Sequence, residues 1–181
     1  MMIEHETLKL PQEPVYLSSE KEFQKHLVDA IHIILKQREI DYCLLENFGL
    51  DVCIFLNQKD YQVVRFLEMK FYSGQRPDGV GFGNSRGEGP QVDLLINSDM
   101  RRFNSSIRWS LAVKEGDHTK YAFFTCEDAK NSAMEGVKRG KQNNLKISKI
   151  IKEDISWENL LKEVTKFIKK ARKTPDFSPG I

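Results

Sequence analysis

The sequence lacks the apolar segments of membrane and secreted proteins. No uninterrupted apolar run approaches the roughly 20 residues that a membrane-spanning helix needs. The first residues carry Glu4, His5, Glu6 and Lys9, without the apolar stretch that secretory signal peptides contain. We therefore expect no membrane partner and a cytoplasmic, intracellular location.

Cysteine is also scarce. The chain has three cysteines, Cys43, Cys53 and Cys126, and no Cys-x-x-Cys pair. An odd and sparse set is typical of a reducing compartment, so we expect free, buried thiols. Neither the cysteine spacing nor the placement of histidines fits a structural zinc site.

Length and composition indicate a single globular domain. The chain has 181 residues, of which 40% are hydrophobic and 30% are charged, an ordinary balance for a domain with one core. Pro11 and Pro14 predict an extended arm over residues 1–17. We expect the domain to cover residues 18–173 and a flexible tail to cover residues 174–181.

Charge is unevenly distributed along the chain. Residues 1–90 hold 10 Lys/Arg and 14 Asp/Glu, whereas residues 91–181 hold 18 and 12. An acidic half beside a basic half suits a cation-binding site next to a phosphate-binding surface, with Lys138, Arg139 and Lys141 as candidate phosphate contacts. Taken alone, the charge pattern fits a solvated helical surface better.

Hydrophobic periodicity predicts the elements of the first half. Ser19 and Glu22 have the spacing of a capping box, and apolar residues at helical spacing then predict a helix to about Arg38. Three strand-like runs follow, over residues 42–48, 50–56 and 61–72. Residues 57–60 are a predicted hairpin turn. The short connections predict an antiparallel meander.

The second half begins with a glycine-rich segment. Residues 73–89 hold six glycines together with Arg76 and Arg86, which predicts a long mobile loop that closes over a substrate. Pro90 then opens a short helix, and Gln91 could face the site from its first turn. Two strands, over 107–114 and 121–126, and an amphipathic helix over 157–172 complete an α/β (α+β) fold.

A charged pair interrupts the third strand. Glu68 and Lys70 stand two residues apart among apolar neighbours, so their side chains point the same way. Asp51 begins the preceding strand, and a hairpin would bring it beside Glu68. Two carboxylates supply the hard oxygen ligands that Mg²⁺ prefers. A nearby ammonium can orient a water molecule and stabilise charge that builds on a phosphate.

This arrangement resembles the PD-(D/E)XK, or restriction-endonuclease-like, nuclease superfamily. The resemblance rests on Asp51 and on Glu68-Met69-Lys70 at the end of the next strand. The helix start Glu20-Lys21-Glu22-Phe23 is similar to that of archaeal Holliday-junction resolvases, which belong to the superfamily. The resemblance implies a restriction-endonuclease-like core, in which helices flank a central mixed sheet with an antiparallel three-strand meander.

The resemblance also implies an activity, namely a Mg²⁺-dependent DNA endonuclease, restriction-like or structure-selective, with Mn²⁺ as a substitute. Asp51 and Glu68 would bind the metal, Lys70 would assist the attacking water, and a helix glutamate would reach the metal through water. Helical phase places Glu20 rather than Glu22 on the buried face, which selects Glu20. The expected partner is duplex or branched DNA, and a homodimer would supply the two sites that double-strand cutting needs.

Two other interpretations remain open. Leu50 rather than proline precedes Asp51, and Pro77-Asp78 follows Glu68 in the wrong order. Glu68 and Lys70 could form the wet face of an edge strand, with Asp51 as a turn residue. Alternatively, the chain is a catalytically inactive nucleic-acid-binding or interaction module that keeps the same fold.

Overall fold

The protein combines a five-stranded mixed sheet with helices on both faces. The computed structural model describes residues 10–58, 61–74, 78–152 and 155–169. In chain order the elements are α1 (Glu20–Gln37), β1 (Asp41–Phe48), β2 (Leu50–Gln58), β3 (Tyr61–Ser73), β4 (Val80–Phe82), α2 (Pro90–Ile96), the 3₁₀ helix η1 (Ser98–Ser106), β5 (Ile107–Glu115), β6 (His118–Phe124), α3 (Cys126–Ser132), β7 (Asn143–Leu145), α4 (Ile147–Ile150) and α5 (Trp157–Lys169).

The main sheet has the order β1-β2-β3-β5-β6. Strands β1, β2 and β3 form an antiparallel meander, as their short connections predict. Strand β3 then pairs with β5 in parallel, and β5 pairs with β6 antiparallel. The chain between β3 and β5 must therefore cross over one face, and it carries α2 on the way. The prediction of an α+β fold with a mixed sheet and an antiparallel meander is confirmed.

Each face of the sheet has its own apolar core. One core joins α1 and α5 to the sheet through Phe23, Leu27 and Leu160. The other lies under α2 and α3 and includes Trp109 and Val92. The strands alternate between the two cores because successive side chains of a strand point to opposite faces. In the described part of the chain, no helix is both long and apolar enough to span a membrane.

The start of α1 differs in detail from the predicted capping box. The Ser19 hydroxyl accepts a hydrogen bond from the Glu22 amide at 3.2 Å, as an N-cap does. The Glu22 carboxylate, however, accepts from the amide and hydroxyl of Ser18 at 2.7 and 2.6 Å. The second hydrogen bond of the predicted capping box, from the Ser19 amide to Glu22, is therefore wrong by one residue, because Ser18 offers both its amide and its hydroxyl to the carboxylate.

The long loop predicted over residues 73–89 is wrong in two places, because Ser73 ends β3 and residues 80–82 form β4, whereas its mobility and its closure over a substrate stay predictions. Strand β4 lies within this segment and pairs antiparallel with β7, which the sequence did not indicate. The Asn84 side chain accepts hydrogen bonds from the amides of Arg86 and Glu88, both at 2.9 Å, and so closes a tight turn. The glycines of this segment allow close backbone packing and positive φ angles in turns. Residues 75–77, including Arg76, lie outside the described residues.

Other predicted boundaries shift by a few residues. Strands β1, β2 and β3 extend to Asp41, Gln58 and Ser73, so that pairing replaces the first half of the predicted turn. The last predicted strand ends at Phe124, since Thr125 caps α3 through a capping box with Asp128. The predicted arm before residue 10, the end of the last helix and the tail over 170–181 lie outside the described residues.

The cysteine prediction holds in part. All three cysteines are free, and Cys53 and Cys126 are buried. Burial raises the pKa of Cys53 to about 11, which makes it an inert core residue. The expectation that Cys43 is buried is wrong. Tyr42 and Leu44 of the edge strand β1 pack against one core, so Cys43 between them points to the opposite face of the sheet, where it is exposed.

We predict that Gly87→Ala destabilises the fold far more than Gly116→Ala. Both glycines have positive φ, of 64° and 60°, so both substitutions incur backbone strain of roughly 1 kcal/mol. A Cβ at Gly87 would also collide with the Lys141 carbonyl and lie 2.7 Å from the Lys138 carbonyl, whereas at Gly116 it would meet nothing within 4 Å. Thermal unfolding measures both, and equal midpoints for the two variants would contradict this packing.

Candidate active site

The candidate site forms where β3 extends beyond its pairing with β2. The register between β2 and β3 ends at the pair Val52–Leu67, but β3 continues to Ser73. Because successive amides of a strand point to alternate edges, every second amide beyond Leu67 is left without a partner on β2. Two carboxylates take up these donors. Asp51 Oδ2 accepts from the Met69 amide at 2.6 Å, and Glu20 Oε2 accepts from the Phe71 amide at 3.4 Å.

Asp51 lies close to Glu68. Its carboxylate binds the amide of Met69, the residue that follows Glu68, and its negative charge acts on the Glu68 carboxyl. Gln24 supports this end of β2, since its Nε2 donates to the Asp51 carbonyl at 3.3 Å. Gln24 is not among the residues predicted from the sequence, although it stands one helical turn after Glu20 and therefore on the same side of α1.

Lys70 is the buried cation of the site. Its side chain is 8% exposed, and its Nζ lies 2.8 Å from Glu68 Oε1 and 3.2 Å from Glu20 Oε1. Burial lowers the pKa of Lys70, but the two carboxylates outweigh that effect and leave its pKa above the ordinary value. Lys70 is therefore an ammonium at neutral pH, held at a fixed place between α1 and β3.

Glu68 is fully buried, and its two oxygens are treated differently. Oε1 accepts from Gln91 Nε2 at 3.0 Å and also contacts Lys70, whereas buried Oε2 has no hydrogen-bond partner. Burial raises the pKa of Glu68 to about 7, Lys70 opposes the shift, and the negative charge of Asp51 adds to it. A buried acceptor without a donor is costly, so Oε2 is the atom best placed to gain from a cation.

The sequence-predicted core residues therefore come together. Glu20, Asp51, Glu68 and Lys70 converge on one stretch of β3, and Gln91 contacts Glu68 from the first turn of α2. Glu20 is partly exposed, with 44% of its side chain accessible, so it lies at the rim of the site. Of the discounted candidates, Asp78 accepts hydrogen bonds from the amide and hydroxyl of Ser148 instead.

The predicted basic residues that the structure describes form one surface next to α2, here called the basic strap, consisting of Arg86, Lys138, Arg139 and Lys141. The Gly140 amide donates to the Arg86 carbonyl at 2.7 Å, which joins the two loops that carry them. All four side chains are exposed. Arg139 also forms an ion pair with Asp93 of α2, two residues from Gln91, so the strap adjoins the helix that contacts Glu68.

The donor set fits a hard divalent cation. Mg²⁺ is usually held by one or two carboxylates and completes its shell with water and substrate oxygens. Asp51 and Glu68 offer two neighbouring carboxylates, and Glu68 Oε2 is unpaired. Within the described ranges, no group of three or more His, Cys, Asp or Glu side chains is placed to hold a metal ion, so water and substrate would have to supply the other ligands. A cation at Asp51 and Glu68 would therefore keep positions for water and substrate.

Comparisons with known proteins add no relative. No protein-family model matches the chain, and no curated protein and no solved structure matches it either. The function proposed below accordingly rests on the geometry of the site.

We predict a pH-dependent role of Glu68 in stability. Its pKa is about 7 in the folded chain against an ordinary 4.5, so the folded state holds the proton more tightly than the unfolded state. The resulting stabilisation is present below pH 4.5 and is lost as the pH rises through 7. Wild type should therefore lose stability relative to Glu68→Gln between pH 4.5 and pH 8, as measured by urea unfolding with a chelator present.

The exposed helix residue Glu127 provides the matched control. Glu127→Gln makes the same chemical change outside the site. A difference between wild type and Glu68→Gln that stays constant from pH 4.5 to pH 8 would show that the Glu68 carboxyl does not titrate in this range.

Proposed function

We propose that the protein is a Mg²⁺-dependent DNA endonuclease with a restriction-endonuclease-like core, restriction-like or structure-selective. The observation that carries the proposal is the convergence of Asp51, Glu68 and Lys70 on β3, with a fully buried glutamate that keeps one oxygen unpaired. The resemblance implies a core with the order helix, three strands, helix, strand, and α1, the strands β1 to β3, α2 and β5 follow one another in that order, with the short strand β4 between β3 and α2.

Asp51 and Glu68 would hold the cation, and Mg²⁺ supplies polarisation of the phosphate and a more acidic water molecule when it is bound. Lys70 contributes the fixed positive charge. Its ammonium can donate a hydrogen bond to the attacking water and stabilise the negative charge that develops on the phosphate oxygens. Because Lys70 is almost fully buried, little water screens this charge, and its effect on the reacting groups is strong.

Two residues keep the reacting groups in place. Glu20 accepts from Lys70 at 3.2 Å and holds the ammonium at the edge of β3. Gln91 donates to Glu68 Oε1, which leaves Oε2 without a hydrogen bond and makes it the oxygen that would bind the cation. Glu20 and Gln91 are therefore positioning residues, because they act through Lys70 and Glu68.

The basic strap suits the phosphate backbone of DNA. Phosphate contacts are made by exposed lysine and arginine side chains and supply the salt-dependent part of binding. The strap packs against the segment before α2, and its Arg139 pairs with Asp93 of that helix. A strand held by the strap would therefore lie beside the helix whose Gln91 contacts the site.

A catalytically inactive binding module of the same fold is the second candidate. It is favoured by the internal pairing of the site, since Lys70 is bound by both Glu68 and Glu20, and Asp51 is bound to a backbone amide. Such a network would stabilise a core without any reaction. The two candidates differ in whether Asp51 supports binding of a divalent cation.

We predict that the purified protein cleaves or nicks DNA with Mg²⁺ or Mn²⁺ and that chelation stops it. Glu68→Ala and Lys70→Ala should each lower the rate by at least about 100-fold, because each removes charge that acts on the transition state. Mn²⁺ binding, measured by calorimetry, should be lost in Asp51→Asn and retained in Lys70→Ala, since the ammonium is not a ligand.

Lys120 provides the matched control, since it is a strand lysine that pairs with Glu115 on the far edge of the sheet. Lys120→Ala should cleave like wild type. Full activity in Lys70→Ala would refute the site. Mn²⁺ binding that does not depend on Asp51, together with no cleavage, would favour the inactive module.

We also predict that the basic strap sets the salt dependence of DNA binding. Replacing Lys138, Arg139 and Lys141 with alanine should weaken binding and flatten the log–log salt slope by roughly one unit for each lost phosphate contact. The control replaces Lys130, Lys162 and Lys166, which are exposed on α3 and α5. Equal slopes for the two triple variants would show that the strap is an ordinary solvated surface without phosphate contacts.

A further inference from the structure

An apolar groove of about 480 Å³ opens next to the candidate site. It is lined by Leu50 and Phe66 of the sheet, by Leu94 of α2 and by Phe103 of η1. Its volume is in the range of small-ligand sites, and it combines an apolar lining with a few polar groups, as such sites do. The site residues described above do not use it.

The groove continues the surface that carries the site. Leu50 directly precedes Asp51, and Pro90 on the rim directly precedes Gln91. Phe66 stands two residues before Glu68 and shares its face of β3, so the two side chains start roughly 7 Å apart. A nucleotide whose phosphate lies against Asp51 and Glu68 thus has its own base, or the base of its neighbour, within reach of the groove.

The polar groups of the groove suit a nucleobase. Asp93, Asn97 and Arg139 line it and bring together acceptors and donors of the kind that read base edges. Arg139 belongs to the basic strap, so the groove and the proposed phosphate surface share a residue. The Arg102 guanidinium lies 5.0 Å from the centre of the Phe103 ring, so one face of that ring carries a cation and a base would stack on the side that lines the groove.

We propose that this groove holds one unstacked nucleobase of the strand that is cut, with Phe103 as its stacking partner. The inference rests on the proposed nuclease function and specifies its substrate, since the strand must offer a base outside the duplex stack. Aromatic rings bind bases of any sequence through their π-faces. Single-stranded or locally opened DNA should therefore bind more tightly than a fully paired duplex of the same length.

The test uses oligonucleotides with the fluorescent base 2-aminopurine at successive positions, bound to the wild-type chain in Ca²⁺ to suppress cutting. One position, at a fixed offset from the scissile bond, should change its fluorescence, and its neighbours should not. Phe103→Ala should remove that change and lower the affinity for single-stranded DNA about tenfold. Phe103→Leu keeps the apolar volume without the π-face and provides a milder variant should the alanine variant fail to fold.

Phe123→Ala is the matched control, because Phe123 is also half-buried but makes an edge-on ring contact with Phe167 of α5 at the other face of the sheet. It should leave the fluorescence response and the affinity unchanged.

The outcomes separate this inference from the function on which it rests. If the protein cleaves DNA but no position responds, or if neither Phe103 variant changes binding, the base pocket is refuted and the nuclease remains. If Phe103→Ala changes only the oligomeric mass measured by light scattering, the groove is a protein interface and the proposal fails. If the protein neither binds nor cuts DNA, the proposed function itself fails.

Discussion

The ammonium of Lys70 must find negative partners, because a buried charge without compensation costs several kcal/mol. Its partners come from two elements far apart in sequence, Glu20 at the start of α1 and Glu68 on β3 itself. This requirement holds the start of α1 against β3 and fixes their relative position. A buried ion pair contributes little net stability, but removal of one member leaves a charge stranded. The network therefore specifies an arrangement more than it strengthens the fold.

The same stretch of β3 explains why acids gather there. A strand that extends beyond its antiparallel neighbour has backbone amides without a strand partner, and carboxylates are strong acceptors for such donors. Asp51 and Glu20 each bind one of these amides. Repulsion from Asp51 and burial then raise the pKa of Glu68. The placement of Asp51 and Glu20 beside Glu68 and Lys70 thus follows from the requirement that backbone amides at the strand edge find hydrogen-bond acceptors.

Much of this arrangement could be predicted from the sequence, and the reason is local periodicity. Glu68 and Lys70 stand out because charges are rare in an apolar strand, and the meander follows from short connections. The β4–β7 pair could not be predicted, because three-residue strands have no measurable period and Val80 and Leu145 are distant in sequence. The Asp93–Arg139 pair could not be predicted for a similar reason, since neither side chain reveals a partner on another element. Gln24 differs, because its position one helical turn after Glu20 was a signal for its contact with Asp51.

The pairing of β4 with β7 has a consequence for the order in which the molecule assembles. Val80 meets Leu145 only after a segment on the order of sixty residues has closed into a loop, and such closure costs entropy before any contact rewards it. The meander, by contrast, forms between neighbours in sequence. From the cost of loop closure, we expect the β2–β3 hairpin that carries Asp51 and Glu68 to form before the basic strap takes its position. A partially folded chain would hold the acidic residues in place while its cationic surface is still unformed.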